Sequence, residues 1–301
     1  MFRSLLVNAT RHRHGHILRL ILRYSRVIYS FREQKKILAL LTEDEFKGIP
    51  QIQPVFPFKY LHEKYLATGL SVQHKAQALL NNYQALKYYI CRKSLDHIIH
   101  NEIILFSRET DSDSTIQIVF LMSHSSRIEG ELSLLFRIDN ANAFILSFTI
   151  VPGEVVRCPA EQALLISRMQ GERCVGEKVR AATRALRGVS PPMALLEALQ
   201  GIASAFCIMH LAAVPAVHQP YFSEEQAPTF LKNYDEFFLT SGLTRGSGRF
   251  FEAPLPLPKK PLTAIKPGNR PRAKVQREIR KEIVETVRQV MMQHRRARVE
   301  F

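Results

Sequence analysis

Near residue 102 the hydrophobic period changes from that of a helix to that of strands, and this change constrains the fold more than any other feature. Four short apolar runs rich in β-branched and aromatic residues follow in close order: IILFS (103–107), IQIVFLMS (116–123), LSLLFRI (132–138) and AFILSFTIV (143–151). The breaks between them, at 111–113, 125–130 and 139–142, are too short to hold a crossover helix. Such runs predict an antiparallel meander. A fifth run, ALLISRM at 163–169, leads to an expected turn at Gln170-Gly171. Helical patterns at 177–186 and 193–206 are separated by a break at Gly188, Pro191 and Pro192. A strand at 208–214, a helix at 227–239 and a closing strand at 249–255 follow. The expected body, 102–256, is an α+β unit with an antiparallel-to-mixed sheet.

The flanks read differently. Residues 1–101 form a basic helical N-terminal region. Arg19, Arg23 and Arg26 line one face of a helix at 17–31 whose other faces are apolar, suited either to packing on the body or to lying in a membrane interface. His12, His14 and His16 have no carboxylate or cysteine beside them, and no metal site is expected. Pro50, Pro54 and Pro57 predict an extended path over 48–60. Ser71 is a natural N-cap for a helix whose apolar residues, Ala76, Leu79, Leu80, Tyr83 and Leu86, recur at helical spacing to about residue 90. Residues 254–273 hold six prolines and five basic residues, the composition of an extended linker. A C-terminal helix carries Val275, Ile279, Ile283, Val287 and Val290 on one face and charges on the other, which completes a third segment, 257–301.

The net charge of +15 is concentrated at the ends. Residues 1–36 hold nine basic side chains and one acidic, and residues 257–301 hold thirteen and four, whereas 101–256 hold thirteen and seventeen. Basic ends on a mildly acidic body suit an anionic membrane surface. They lack the aromatic interleaving that stacks nucleic-acid bases, so a nucleic-acid partner is not expected. Cys91, Cys158, Cys174 and Cys207 form no Cys-x-x-Cys pair and read as reduced structural thiols. With no secretory signal and no apolar stretch of roughly 18 residues, the chain is expected in the cytoplasm, attached peripherally at most to the inner membrane.

Many catalytic signatures are absent, among them the P-loop, the nucleophile elbow, HExxH and the Gly-rich dinucleotide loop. Asp111-Ser-Asp113 has the spacing of paired acids in the setting of an exposed turn. Chemistry is therefore sought after the meander. The strand–turn–helix beginning at 163 can aim backbone N–H groups at an anion. His218, past a strand end, could act as a general base or simply hold a Pro-flanked loop. Tyr221 could protonate a leaving thiolate or anchor the same loop. Tyr234 and Asp235 complete the candidate catalytic set, although Tyr234 with Phe237 and Phe238 also fits a helix core. Glu129 and Glu131, two apart on an expected strand, could orient an amine; solvated edge charges are the simpler reading.

The order of elements over 115–255 resembles that of Gcn5-related acyltransferases, in which the corresponding strand–turn–helix receives the pyrophosphate of an acyl-CoA. Their glycine loop is represented here only by Gln170-Gly171-Glu172-Arg173. The resemblance implies acyl-CoA or an acyl-carrier protein as cofactor, with Gln170, Gly171 and Arg173, and Asn233 from the later helix, as the candidate cofactor-binding residues. A second resemblance spans about 48–290. Tyr60-Leu61, Gly69-Leu70-Ser71, Glu129-Gly130-Glu131, Gln170-Gly171, the run 181–188, His218 with Tyr221, and Asn233-Tyr234-Asp235 with Phe237 together are similar to the VirK/YbjX family of Gram-negative bacteria. Asn82 and Arg187 stand where that family usually has histidine. This second resemblance implies a virulence-associated cytoplasmic protein tied to envelope integrity, surface display and resistance to antimicrobial peptides, with no settled biochemical activity. Two functions stay open: an acyltransferase-like protein at the inner-membrane surface, and a non-enzymatic chaperone or adaptor for an exported surface protein.

Overall fold

The computed structural model describes residues 30–110, 113–123, 128–172, 176–246 and 248–296. The arginine-lined helix at 17–29, the alternating histidines, Arg173 and Cys174 lie outside the described residues.

The four apolar runs of the meander form β1 (Glu102–Glu109), β2 (Thr115–Met122), β3 (Leu132–Ile138) and β4 (Ala141–Pro152), each antiparallel to the next. Next come β5 (Gln162–Gly171), α4 (Gly176–Ala185), α5 (Pro191–Phe206), β6 (His210–Ala213), a helix over 227–240, β7 (Thr244–Arg245) and β8 (Phe251–Pro254). The sheet has eight strands in the order β1-β2-β3-β4-β5-β6-β8-β7. Only the β5–β6 pair is parallel, as required when helices carry the chain back across the sheet. The fold is thus the expected α+β class.

Before the sheet lie α1 (Phe31–Leu40), α2 (Val72–Tyr89) and α3 (Arg92–His100). Ser71 caps α2, its hydroxyl accepting the His74 N–H at 3.1 Å. The expected extended path at 48–60 is not what forms. Ile49–Ile52 is a helical turn and Phe56–Leu61 a 3-10 helix, with a proline in the first turn of each. Proline is excluded from helix interiors, but in a first turn its missing N–H has no partner to lose. This turn drives Phe56, Lys59 and Tyr60 into the interior.

One apolar core runs from Ile37 in α1 through the sheet to Met291 in the C-terminal helix α6 (Arg270–Gln293). Of the apolar face read from the sequence, Ile283 and Val287 are buried with Met291, and Ile279 and Val290 pack at the margin. The helix crosses α5 at Gly201, where an added Cβ would lie 2.7 Å from the Val284 carbonyl oxygen and 2.8 Å from the Val287 Cβ. Arg280 pairs there with Glu197, whose carboxyl is raised by burial against that pairing. Arg108 of β1 pairs with Glu282 at 2.5 Å, tying the helix to the sheet edge. None of the helices of the described residues is long and apolar enough to cross a membrane.

Candidate functional site: a cleft where two parallel strands part

β5 and β6 pair only over Leu164–Ile166 and Leu211–Ala213. Beyond a last bond from Val214 N to the Ile166 carbonyl, β5 runs on to Gly171 while the other chain turns away at Pro215. The separation opens a cleft of about 980 Å³ lined by Glu129, Arg168 to Glu172, Gln219, Tyr221 and one face of the 227–240 helix. The expected turn at Gln170-Gly171 is instead the end of β5, because these residues pair with Ile145 and Phe144 of β4. Gly171 lets the Phe144 ring lie against the strand, 3.2 Å from where a Cβ would stand.

β5 carries a bulge at its midpoint. Ser147 of β4 faces Arg168 and Phe148 faces Ile166, so Ser167 is the extra residue. The Ser167 hydroxyl donates to the Glu129 carbonyl, which fastens the bulge to the 128–131 segment. Beyond the bulge the Met169 N–H meets the Tyr234 hydroxyl at 3.4 Å. A row of buried hydroxyls leads up to this point, with Ser123 Oγ 2.6 Å from Ser133 Oγ and Ser133 Oγ 3.0 Å from Ser147 Oγ.

The helix opposite is regular only at its ends. Leu231–Glu236 is a π-helical turn between Ala227–Phe230 and Phe237–Thr240. Asn233 and Tyr234 face the cleft, with Phe230 and Phe237. Tyr234 stacks on Phe230 at 5.6 Å, and burial pushes its phenol up to about 12. Asp235, the next residue along the helix, points elsewhere. It is buried, accepts the Ala216 N–H at 2.7 Å and pairs with Arg245 at 3.0 Å, so it fastens the helix to the loop after β6.

The candidate residues therefore divide. Gln170, Gly171, Tyr221, Asn233 and Tyr234 come together in the cleft, Tyr221 at its rim and 57% exposed. Asp235 lies behind the cleft, and Arg173 is outside the described residues. His218 lines a different, smaller cavity, and burial with the nearby Arg249 lowers its basicity. Asn82 and Arg187 are not in the cleft: Asn82 accepts the Ile150 N–H at 3.0 Å, and Arg187 is exposed.

Arg168 and Gln219 are missed by the sequence reading, and Glu129, weighed there for orienting an amine, is read more simply as a solvated edge charge. Glu129 and Glu131 do not lie on a strand, nor are they solvated. Gly130 between them has φ +143, a conformation open to glycine, and the two carboxylates part company. Glu131 enters the core, where its two oxygens accept from Tyr65 at 2.6 Å and Tyr83 at 2.8 Å and pair with Lys59 at 2.7 Å. Glu129 enters the cleft, 3.2 Å from Arg168, and desolvation raises its carboxyl against the opposing pull of that guanidinium. Arg168 also donates to the Gln170 side-chain oxygen at 2.7 Å. Gln219 is 3% exposed and donates to the Val214 carbonyl at 2.9 Å, yet its own Oε1 has no partner. The family-like Glu129-Gly130-Glu131 run was the one available sign.

The cleft thus joins a bulged strand edge, a carboxyl raised by burial, a phenol that burial keeps protonated and an unsatisfied buried acceptor. No curated protein and no solved structure matches the chain. A family model described as "Protein of unknown function (DUF535)" matches residues 12–292. The chain belongs to the DUF535 family.

Proposed function

We propose that the chain is a VirK/YbjX-type acyl-transfer protein that moves an acyl group from a thioester carrier to an amine or hydroxyl acceptor. The observation that carries this reading is the parting of β5 and β6 beside a bulged, unpaired strand edge. A pantetheine arm, common to acyl-CoA and acyl-carrier protein, has two amides and an extended shape. It can add to such an edge as a peptide strand does. Gln219 Oε1, buried without a partner, offers it an acceptor.

The chemistry follows from the groups present. Glu129, its carboxyl raised by burial, takes the proton of the attacking amine or hydroxyl as that atom bonds to the thioester carbon. When the carbon–sulfur bond breaks, the thiolate takes the proton of Tyr234, which burial keeps protonated. Tyr221, Asn233 and Gln170 hold carrier or acceptor at the rim. DUF535 membership supports the VirK/YbjX reading, and with it a role in envelope integrity and surface display. The basic ends fit work against an anionic membrane surface.

Titration of the full chain with acyl-CoA and with an acylated carrier protein tests the reading. Saturable binding to one of them, weakened by a Gly171→Trp obstruction, is the expected result. Absence of binding to both overturns acyl transfer and favours the chaperone or adaptor.

A further inference from the structure

A second cavity, of about 210 Å³, lies on the other side of the loop after β6. The Thr68 N–H bonds to the His218 carbonyl there at 2.9 Å, while Gln219 and Tyr221 of the same loop face the cleft. The cavity is too small for a drug-sized ligand, for which about 300–1,000 Å³ is usual. Its size suits one compact group. The lining names the sign of that group. Arg157, Arg249, His74 and His218 face the cavity, and among the described residues no carboxylate lines it. The nearest acid acting on His218 is Asp235, which is already held by Ala216 N–H and Arg245. The positive end of α2 opens at Ser71, on the cavity wall.

The backbone is bent to deliver these groups. Arg157 stands in the left-handed region at φ 59, a conformation that a residue with a side chain seldom adopts. Gly69 has φ +83, a conformation open to glycine, and the Arg249 Nη1 lies 2.5 Å from where a Cβ would stand, so the guanidinium rests over the loop. Arg249 donates to the Gly69 carbonyl at 3.3 Å, and among the described residues neither Arg157 nor Arg249 has a carboxylate within ion-pair distance. Two guanidinium forks without acids, two imidazoles and a helix start make a receptor for a tetrahedral oxyanion.

We infer that this cavity binds a phosphate-type anion, either a soluble phosphate ester or the phosphomonoester headgroup of a lipid. The site stands whether or not the cleft transfers acyl groups.

Titrating the full chain with inorganic phosphate at low ionic strength, while following the His74 and His218 imidazole resonances, tests the inference. Saturable shifts are expected. Arg157→Gln and Arg249→Gln are each expected to weaken binding by about tenfold or more, the loss of a charge-assisted bond. Arg184→Gln, on α4, leaves binding unchanged, and unfolding midpoints show that the variants fold. Vesicles of phosphatidylcholine with phosphatidic acid separate the two sources. If they displace phosphate from the wild type, the lipid headgroup is a ligand; if they do not while phosphate binds, the ligand is soluble. No saturable shift, or an equal loss in Arg184→Gln, overturns the site.

Discussion

Lys59 Nζ and Glu131 Oε1 stand 2.7 Å apart with side chains only 1% and 0% exposed, an ion pair sealed inside the core. Tyr65 and Tyr83 complete the carboxylate's acceptor sites, and burial and the adjacent carboxylate push both phenols well above the usual tyrosine range. Lys59→Met leaves a buried carboxylate without its cation. A loss of about 3–5 kcal/mol is expected from denaturant titration. Adding Glu131→Gln removes the stranded charge but keeps a partner for the tyrosines, so the double variant is expected to be more stable than Lys59→Met alone.

Tyr234 gives the chain a defined weakness in alkali. Its folded-state value, about 12, lies above the usual 10, so its protonated form is favoured by folding. Its contribution is complete below pH 10 and is lost as pH rises from 10 to 12, by about 3 kcal/mol over that window. Unfolding measured across this range is expected to show a shallower decline for Tyr234→Phe than for the wild type. Equal slopes would show that Tyr234 is not the group responsible.

For Glu129 the direction of the acid limb can be stated. Burial raises its carboxyl, and Arg168 works against that rise. Removing the opposing charge in Arg168→Gln is expected to move the acid limb of the acyl-transfer rate to higher pH, because the base then holds its proton longer. Glu129→Gln is expected to lower the turnover rate by about 100-fold or more while leaving carrier affinity within a few-fold.

The α5–α6 crossing has no room to spare at Gly201. Gly201→Ala is expected to cost about 1–3 kcal/mol by forcing the helices apart, and to expose the chain near residue 269 to limited proteolysis.

Those strands whose inward and outward positions are set by their own side chains were legible in the sequence. LSLLFRI became β3 at 132–138 without change, and the Ser71 cap started α2 where expected. The errors arose where distant segments decide. Pro57 reads as extended until the turn it begins is seen placing Lys59 against Glu131, seventy-two residues later in the chain. Gln170-Gly171 resembles a turn, but β4 supplies strand partners that no local pattern announces. Asn233-Tyr234-Asp235 reads as one group in the sequence, but on the helix Asp235 turns behind the cleft to Ala216 and Arg245. Only Asn233 and Tyr234 reach the cleft. His218 and Tyr221, three apart on one loop, serve opposite sides of it.

A helix can devote its apolar stripe to one neighbour at a time, and α6 has given Ile283, Val287 and Met291 to the interior. What it presents outward is mostly ionic, with Val275 and Met292 as exposed apolar exceptions. The bilayer contact proposed for the basic ends would, through this helix, be adsorption and not insertion, governed by exchange of counter-ions at the lipid surface. The Debye length falls from about 10 Å at 0.1 M salt to about 3 Å at 1 M, so attachment through this end loosens as salt is raised, with no need for the helix to unfold or detach from α5.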